Sequence, residues 1–174
     1  YPYEYLDASA LADFAPHVGP QVVGATYFPE DGHANPLYLL RALHEAFAAN
    51  GGTLVAGSPV TRIVPDDGGF VIPGASPVRA QQVMLCAGLG NAVLGPMVGI
   101  DAPVRPVRGQ ILVTERLKAK LPMPSVQIRQ VAEGAIQIGD SAEEVGFDDL
   151  TDSTVIAAIA KRAVAIYPFL ENVR

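Results

Sequence analysis

Residues 82–93 read QVMLCAGLGNAV, and the fold class turns on how they are read. Gln82 to Ala87 are apolar nearly throughout. A strand of that kind is expected to be covered on both sides, as in a parallel sheet flanked by helices. Gly88 and Gly90 then close it in a turn, where the missing side chains let a neighbour approach the backbone closely. Residues 80–100 carry no charge and are long enough to span a bilayer. Gly88, Gly90, Gly95, Pro96 and Gly99, with Gln81, Gln82 and Asn91, would break a spanning helix repeatedly. A buried strand followed by a glycine-rich turn fits better, and no transmembrane segment is expected.

Working outward, residues 22–28 (VVGATYF) predict a strand ending at Pro29 and the Asp31-Gly32 turn. Asn35 is a good N-cap, and Pro36 occupies the first helical position, where its missing N–H costs nothing. Leu37, Leu40, Leu43, His44 and Phe47 recur at helical spacing until Gly51-Gly52. This predicts an amphipathic helix over residues 36–50 with His44 half-buried on its packed face. Short strands follow at 53–56 and 59–64, then a turn at 65–69 and a hairpin pairing 70–72 with 78–80. Beyond Pro103 the pattern changes. Residues 104–115 (VRPVRGQILVTE) form a long extended run. Residues 125–131 and 135–139 alternate, with Val126 and Ile128 on one face and Gln127 and Arg129 on the other. Residues 132–134 are their turn, giving an antiparallel sheet with one polar face. A helix capped by Thr151 or Ser153 ends the chain, striped by Val155, Ile156, Ile159, Ala163 and Ile166. It stops at Tyr167, before Pro168.

Composition narrows the function classes. A chain of 174 residues is about one domain in length and can bury a sizeable core. Half the residues are hydrophobic and only 17% are charged, which excludes disorder and coiled coil. Seventeen glycines and 15 prolines without a period exclude collagen. A net charge of −6 with no basic stripe lacks the electrostatic footprint of a nucleic-acid binder. The single cysteine, Cys86, makes no internal disulfide and no thiolate metal site; it suits a reducing compartment, so a cytoplasmic location is expected. The opening YPYEYLDASA is not a signal peptide, and without an initiator Met the true start is expected upstream.

His17, His33 and His44 are far apart, and no HExxH or CxxC spacing occurs, so no metal is expected. Asp66-Asp67 reads as turn chemistry, and Glu143-Glu144 and Asp148-Asp149 as a solvated loop. No GxSxG is present to make a nucleophile elbow. A strand running into Gly88-Leu89-Gly90 matches the opening of the dinucleotide-binding fingerprint. Val93 stands where its third glycine belongs, and no acidic residue follows at the required distance.

Four segments taken together go further. YFPEDGHANPLYLLRALHEAFAANGGTL, PVTRI, VMLCAGLGN and PVRPVRGQILVTE, in this order and spacing, resemble the D-amino-acid-oxidase superfamily of FAD enzymes. That superfamily includes glycine oxidase, sarcosine oxidase, D-amino-acid dehydrogenase and the opine and hydroxyproline dehydrogenase subunits. The resemblance covers essentially the whole chain. It lacks the family's glycine-rich pyrophosphate loop, its C-terminal carboxylate-binding arginine and its second glycine-rich flavin segment, so the sequence resembles a central fragment of a longer protein.

The resemblance implies an α/β fold combined with α+β. Residues 33–100 would be the central part of a doubly wound FAD-binding domain. Residues 1–32 and 101–150 would form an antiparallel-sheet substrate domain, both domains incomplete, with residues 151–174 a helix following the sheet. It implies FAD as cofactor, contacted by the backbone at Val60 and by Ala87 and Gly88. Arg108, Gly109 and Gln110 match the segment where the chain leaves the FAD domain. Gln127 falls where glycine-oxidase-like members carry a tyrosine facing substrate, and Arg129 shares its face.

The implied activity is oxidation of the amine carbon of a small amino or imino acid by hydride transfer to flavin, with a partner subunit or homo-oligomer in view. No residue stands out as a catalytic acid or base. Two rival readings keep the fold: a non-catalytic subunit or binding module, and an NAD(P)H-dependent flavin reductase.

Overall fold

The computed structural model describes residues 2–174. The chain folds as two compact units. The first comprises the residues up to Leu43, Arg108–Glu143 and Asp148–Arg174; the second comprises His44–Val107 and Glu144–Phe147. These limits differ from the expected breaks at 32/33 and 100/101; the C-terminal helix, which follows the sheet in sequence, packs against it within the first unit.

The first unit opens with strand β1 (Glu4–Asp7), helix α1 (Ala8–Phe14) and strand β2 (Gly24–Tyr27). β1 and β2 pair antiparallel from Glu4 opposite Tyr27 to Asp7 opposite Gly24. Asp7 both ends β1 and caps α1, its carboxylate accepting from the Ala10 amide at 2.9 Å. Helix α2 (Pro36–Ala49) starts where the sequence places it. The Asn35 side chain accepts from the amides of Leu37 (3.0 Å) and Tyr38 (3.4 Å). Its apolar stripe is another matter. Leu37, Leu40, Leu43 and Phe47 are all about half exposed or more, and His44, expected half-buried, is exposed. The pattern makes the helix amphipathic, but no described residue covers that face.

In the second unit, β3 (Val64–Asp66), β4 (Gly69–Ile72) and β5 (Val78–Ala80) form an antiparallel meander. Asp67 and Gly68 make the first turn, and Asp66 pairs with Arg79 across the sheet. The expected strands at 53–56 and 82–87 are absent, and of the one expected at 59–64 only Val64 is in a strand, as the first residue of β3. The segment 82–87 is also not buried: Met84 is 86% exposed and Cys86 is exposed, while Val83 and Leu85 are half-buried. A strand exists only where a neighbouring strand accepts and donates its backbone hydrogen bonds, and no strand among the described residues pairs with this segment. The glycines at 88–90 form a single 3₁₀ turn leading into the short helix α3 (Asn91–Leu94) and a second 3₁₀ turn at Gly95–Val98.

The first unit resumes with β6 (Leu112–Arg116), β7 (Ile128–Gln130) and β8 (Ala135–Ile138), in the antiparallel order β6-β8-β7. Of the long extended run, only β6 and one bridge, between Arg108 and Glu143, are paired. The β7–β8 turn needs Gly134. Its φ is +97°, and a Cβ there would stand 2.5 Å from the Leu117 carbonyl oxygen.

One face of the sheet carries Ile128, Ile136 and Ile138. They pack against Ile159 and Ala163 of α4 (Ser153–Ile166), with Tyr167 and Leu170 completing the core. Burying each isoleucine contributes about 1.5–3 kcal/mol. Val126, expected beside Ile128, is fully exposed, because β7 begins only at Ile128. The α4 cap is Asp152 rather than Thr151 or Ser153. Its carboxylate accepts from the amides of Thr154 (2.8 Å) and Val155 (3.3 Å). Gln110 fixes this choice by accepting from the Asp152 amide at 2.9 Å. No helix among the described residues is long and apolar enough to cross a membrane.

Candidate functional site

The register of β7 and β8 builds the site. Arg129 lies directly opposite Gln137. One step beyond the strand, the Gly139 amide donates to the Gln127 carbonyl at 2.8 Å. Side chains alternate along a strand, so Gln127, Arg129 and Gln137 share the face opposite the three core isoleucines. That polar face lines a cleft of about 1010 Å³ formed wholly within the first unit. The apolar walls include Leu6, Leu11, Val22, Tyr27, Met123 and Tyr167. A few polar groups set in apolar walls is the usual make-up of a small-molecule site.

The polar groups are held in place. Arg129 Nε donates to Gln137 Oε1 at 2.8 Å. Gln127 Nε2 donates to Asp140 Oδ1 at 3.0 Å. Asp31 is folded onto its own loop, accepting from the Gly32 amide at 2.7 Å. Lys120 sits 5.0 Å above the Phe169 ring, whose edge meets His17. His33, Lys120 and His17 all border the cleft. Burial pushes the Tyr167 phenol above its ordinary value, so it is uncharged at neutral pH.

Gln127 and Arg129 are thus brought together on one surface. Val60, Ala87 and Gly88 lie in the second unit. Val60 is 42% exposed and belongs to no strand. The turn at Ala87–Gly88 is rigidly made. Asn91 Oδ1 accepts from the Ala87 amide at 3.1 Å, and Asn91 Nδ2 donates to the Leu85 carbonyl at 3.2 Å. Gly88 has φ +54°, and no heavy atom lies within 4 Å of where its Cβ would stand. An open glycine backbone of this kind fits close approach by a flat group such as an isoalloxazine ring. It does not fit a pyrophosphate, because α3 has only four residues and offers no extended helix N-terminus.

One cluster escaped the sequence reading. Residues 140–149 read as a solvated loop, yet Glu143 is only 14% exposed at its side chain. It accepts from Arg108 Nη2 (2.6 Å), Arg108 Nε (3.2 Å), Gln110 Nε2 (2.8 Å) and Ser141 Oγ (2.7 Å). These donors, Arg108 foremost, lower the Glu143 carboxyl to about 2. Arg108 also reaches Asp148 at 2.9 Å and the Leu150 carbonyl at 2.7 Å. The available signal was Arg108 and Gln110 at a spacing of two within PVRGQILV, residues 106–113, where they are the only polar side chains, which puts both on one face of an extended chain.

Comparison with known proteins agrees with this architecture. The sequence profile of the family described as "FAD dependent oxidoreductase" matches residues 1–174. A subunit of opine oxidase from Agrobacterium tumefaciens (strain Ach5) is 40% identical over 171 residues, covering 98% of this chain and 46% of that protein. The hydrogen cyanide synthase subunit HcnC of Pseudomonas protegens is 32% identical, covering 97% of this chain and 42% of that protein. The crystal structure of glycine oxidase from Geobacillus kaustophilus superposes with a TM-score of 0.89 at 24% identity, over 99% of this chain and 48% of the other. The chain spans about half the length of the curated relatives it matches. The alternating strands, the AG turn and the whole-length profile match converge: the chain belongs to the DAO family of FAD-dependent oxidoreductases.

Proposed function

We propose that this chain supplies the substrate sheet and part of the cofactor-binding unit of a flavoenzyme that oxidises the amine carbon of a small amino or imino acid. The observation that carries the reading is the cleft over the polar face of β7 and β8, with Gln127 and Arg129 on its surface and apolar walls around them. Relatives named for opine oxidation and hydrogen cyanide synthesis support an amino-acid-derived substrate. Both are named as subunits, which supports assembly with a partner chain.

In this reading the backbone at Val60 and at Ala87–Gly88 borders the cofactor. A flavin held there would supply the acceptor for a hydride leaving the substrate's amine carbon. The chain's own residues do the rest. Gln127 and Arg129 orient the substrate, the apolar walls exclude water, and neutral Tyr167 adds no charge to the wall. Asp31 and Asp140, the carboxylates bordering the cleft, are engaged by the Gly32 amide and by Gln127. In this reading the substrate amine enters neutral, so that no side-chain base is needed.

The test is anaerobic mixing of the full-length flavoprotein with D-proline, D-hydroxyproline, glycine, sarcosine, D-alanine or an opine. At least one should bleach the visible flavin band, and NADH and NADPH should not. Rapid bleaching by NADPH with silence from every amine would overturn the reading in favour of a flavin reductase.

A further inference from the structure

Gln130 is the last residue of β7, and the alternation along the strand puts it on the core face with Ile128. A half-buried polar side chain in that position needs hydrogen-bond partners. It finds them on the main chain, chiefly that of the connection from β6 to β7, residues 117–127. Its Oε1 accepts from the amides of Lys120 (2.8 Å) and Leu121 (3.2 Å). Its Nε2 donates to the carbonyls of Gly134 (2.9 Å) and Lys118 (3.0 Å), with the Leu117 carbonyl at 3.4 Å. A primary amide has two lone pairs and two hydrogens, and here the main chain takes them all. In a sheet a neighbouring strand would satisfy such backbone groups; in this connection a single side chain does so.

The segment held in this way is a wall of the cleft. Lys120, Leu121, Pro122 and Met123 all border it. Leu121 also packs against the isoleucine core, and Lys120 Nζ rests over the Phe169 ring. The far end of the segment is tied as well, the Ser125 amide donating to the Ile128 carbonyl at 2.8 Å. Between the two ties stand Pro122 and Pro124, whose rings fix φ and leave the backbone little freedom. A segment tied at both ends and stiffened between them is a preformed wall rather than a mobile flap.

We propose that Gln130 is a positioning residue: it fixes the wall made by residues 118–124, and with it the fit of the substrate's apolar part against Leu121 and Met123. This rests on reading the cleft as the substrate site. Gln130 is not among the residues that line the cleft; it acts through the wall.

The test uses the full-length flavoprotein. Gln130→Met keeps the length of the side chain and removes all its hydrogen bonds. Gln130→Glu keeps the acceptor but turns lone pairs toward the Lys118 and Gly134 carbonyls. Hydrogen–deuterium exchange is read by mass spectrometry on fragments covering residues 118–124. In wild type the Lys120 and Leu121 amides should exchange slowly; rapid exchange there would overturn the proposal without any variant. Gln130→Met should speed both about tenfold or more. The Tyr167 amide, bonded to the Ala163 carbonyl at 2.8 Å, should be unaffected. The second readout is anaerobic flavin bleaching by the amine that reduces wild type. Its half-saturation concentration should rise about fivefold in Gln130→Met with the limiting rate unchanged, because a wall holds ground state and transition state alike. A residue that only stabilised the fold would not split these two constants. A folded Gln130→Met protein with wild-type exchange, or with wild-type half-saturation, overturns the proposal. If Gln130→Met does not fold, the same outcomes in Gln130→Glu decide it. The result is separable from the redox reading. Silence from every amine defeats the oxidation chemistry, and exchange then decides the wall alone. Bleaching with wild-type half-saturation in the variant defeats the role of Gln130 and leaves the oxidation chemistry standing.

Discussion

The two units carry similarly apolar sequence but bury it very differently. In the first, Ile128, Ile136 and Ile138 of the sheet meet Ile159 and Ala163 of α4, and Ile136 is wholly inaccessible. In the second, Ile63 and Leu94 are the buried large side chains among the described residues, while Leu54, Val55, Met84 and Val93 are each more than 60% exposed. The contrast lies in whether the covering layer is part of this stretch of chain. The sheet of the first unit has its helix after a connection of 14 residues from β8. The apolar segment at 82–87 has no pairing strand and no covering helix among the described residues, while the curated relatives run to about twice this length.

The widest gap between the units should appear on truncation of single side chains. Ile136→Ala removes atoms from a filled core and should cost about 2–5 kcal/mol. Met84→Ala should stay within about 0.5 kcal/mol if the segment is as open in solution as here. Urea melts of the 174-residue chain measure both. A Met84→Ala cost comparable to that of Ile136→Ala would break the comparison.

The Glu143 cluster, within the first unit, gives a pH signature. Its carboxyl is lowered from 4.5 to about 2 by Arg108, Gln110 and Ser141. A carboxylate whose folded value is depressed stabilises the fold above its unfolded value and loses that contribution as pH falls through the folded one. The melting temperature of wild type should therefore fall between about pH 5 and about pH 2. In Glu143→Gln that part of the fall should vanish, leaving a lower and flatter profile. Identical profiles would mean the cluster forms without stabilising the fold.

The smallest effect compares two helix caps. Asp152→Ala should cost about 1 kcal/mol through the lost α4 cap. Asn35→Ala removes the equivalent contact from α2, whose apolar face is open. In the full-length protein it should also cost about 1 kcal/mol. In the 174-residue chain it should register as fraying by amide exchange with little change in global stability. Equal costs in both lengths would show that α2 is packed without any further covering layer.

How much of this was legible beforehand varies by element. Asn35-Pro36 announced α2 because a cap and a first-turn proline act locally. The alternation of Gln127, Ile128 and Arg129 against Ile136, Gln137 and Ile138 announced both the β-hairpin and its polar face, because a period of two leaves no other arrangement. Gly134 marked the turn between them. At Gly88 the sequence predicts close approach of a neighbour to the backbone, whereas the feature present is a left-handed φ of +54° with open space where a Cβ would stand.

Other features depended on contacts distant in sequence. Thr151, Asp152 and Ser153 are all competent caps, and only Gln110, 42 residues away, selects Asp152. Glu143 belongs to an acidic stretch that reads as solvated until Arg108 arrives from 35 residues upstream. The run at 82–87 reads as a buried strand because apolarity predicts a demand for cover, not the presence of it. Sequence alone determined local conformation and the face each side chain takes, since these follow from backbone geometry within a few residues. The tertiary structure decided which faces are covered and which charges are answered. Those depend on partners that the chain brings together from a distance, such as Arg108 against Glu143 and Gln110 against Asp152, and on neighbours that nothing within a short window of sequence can specify.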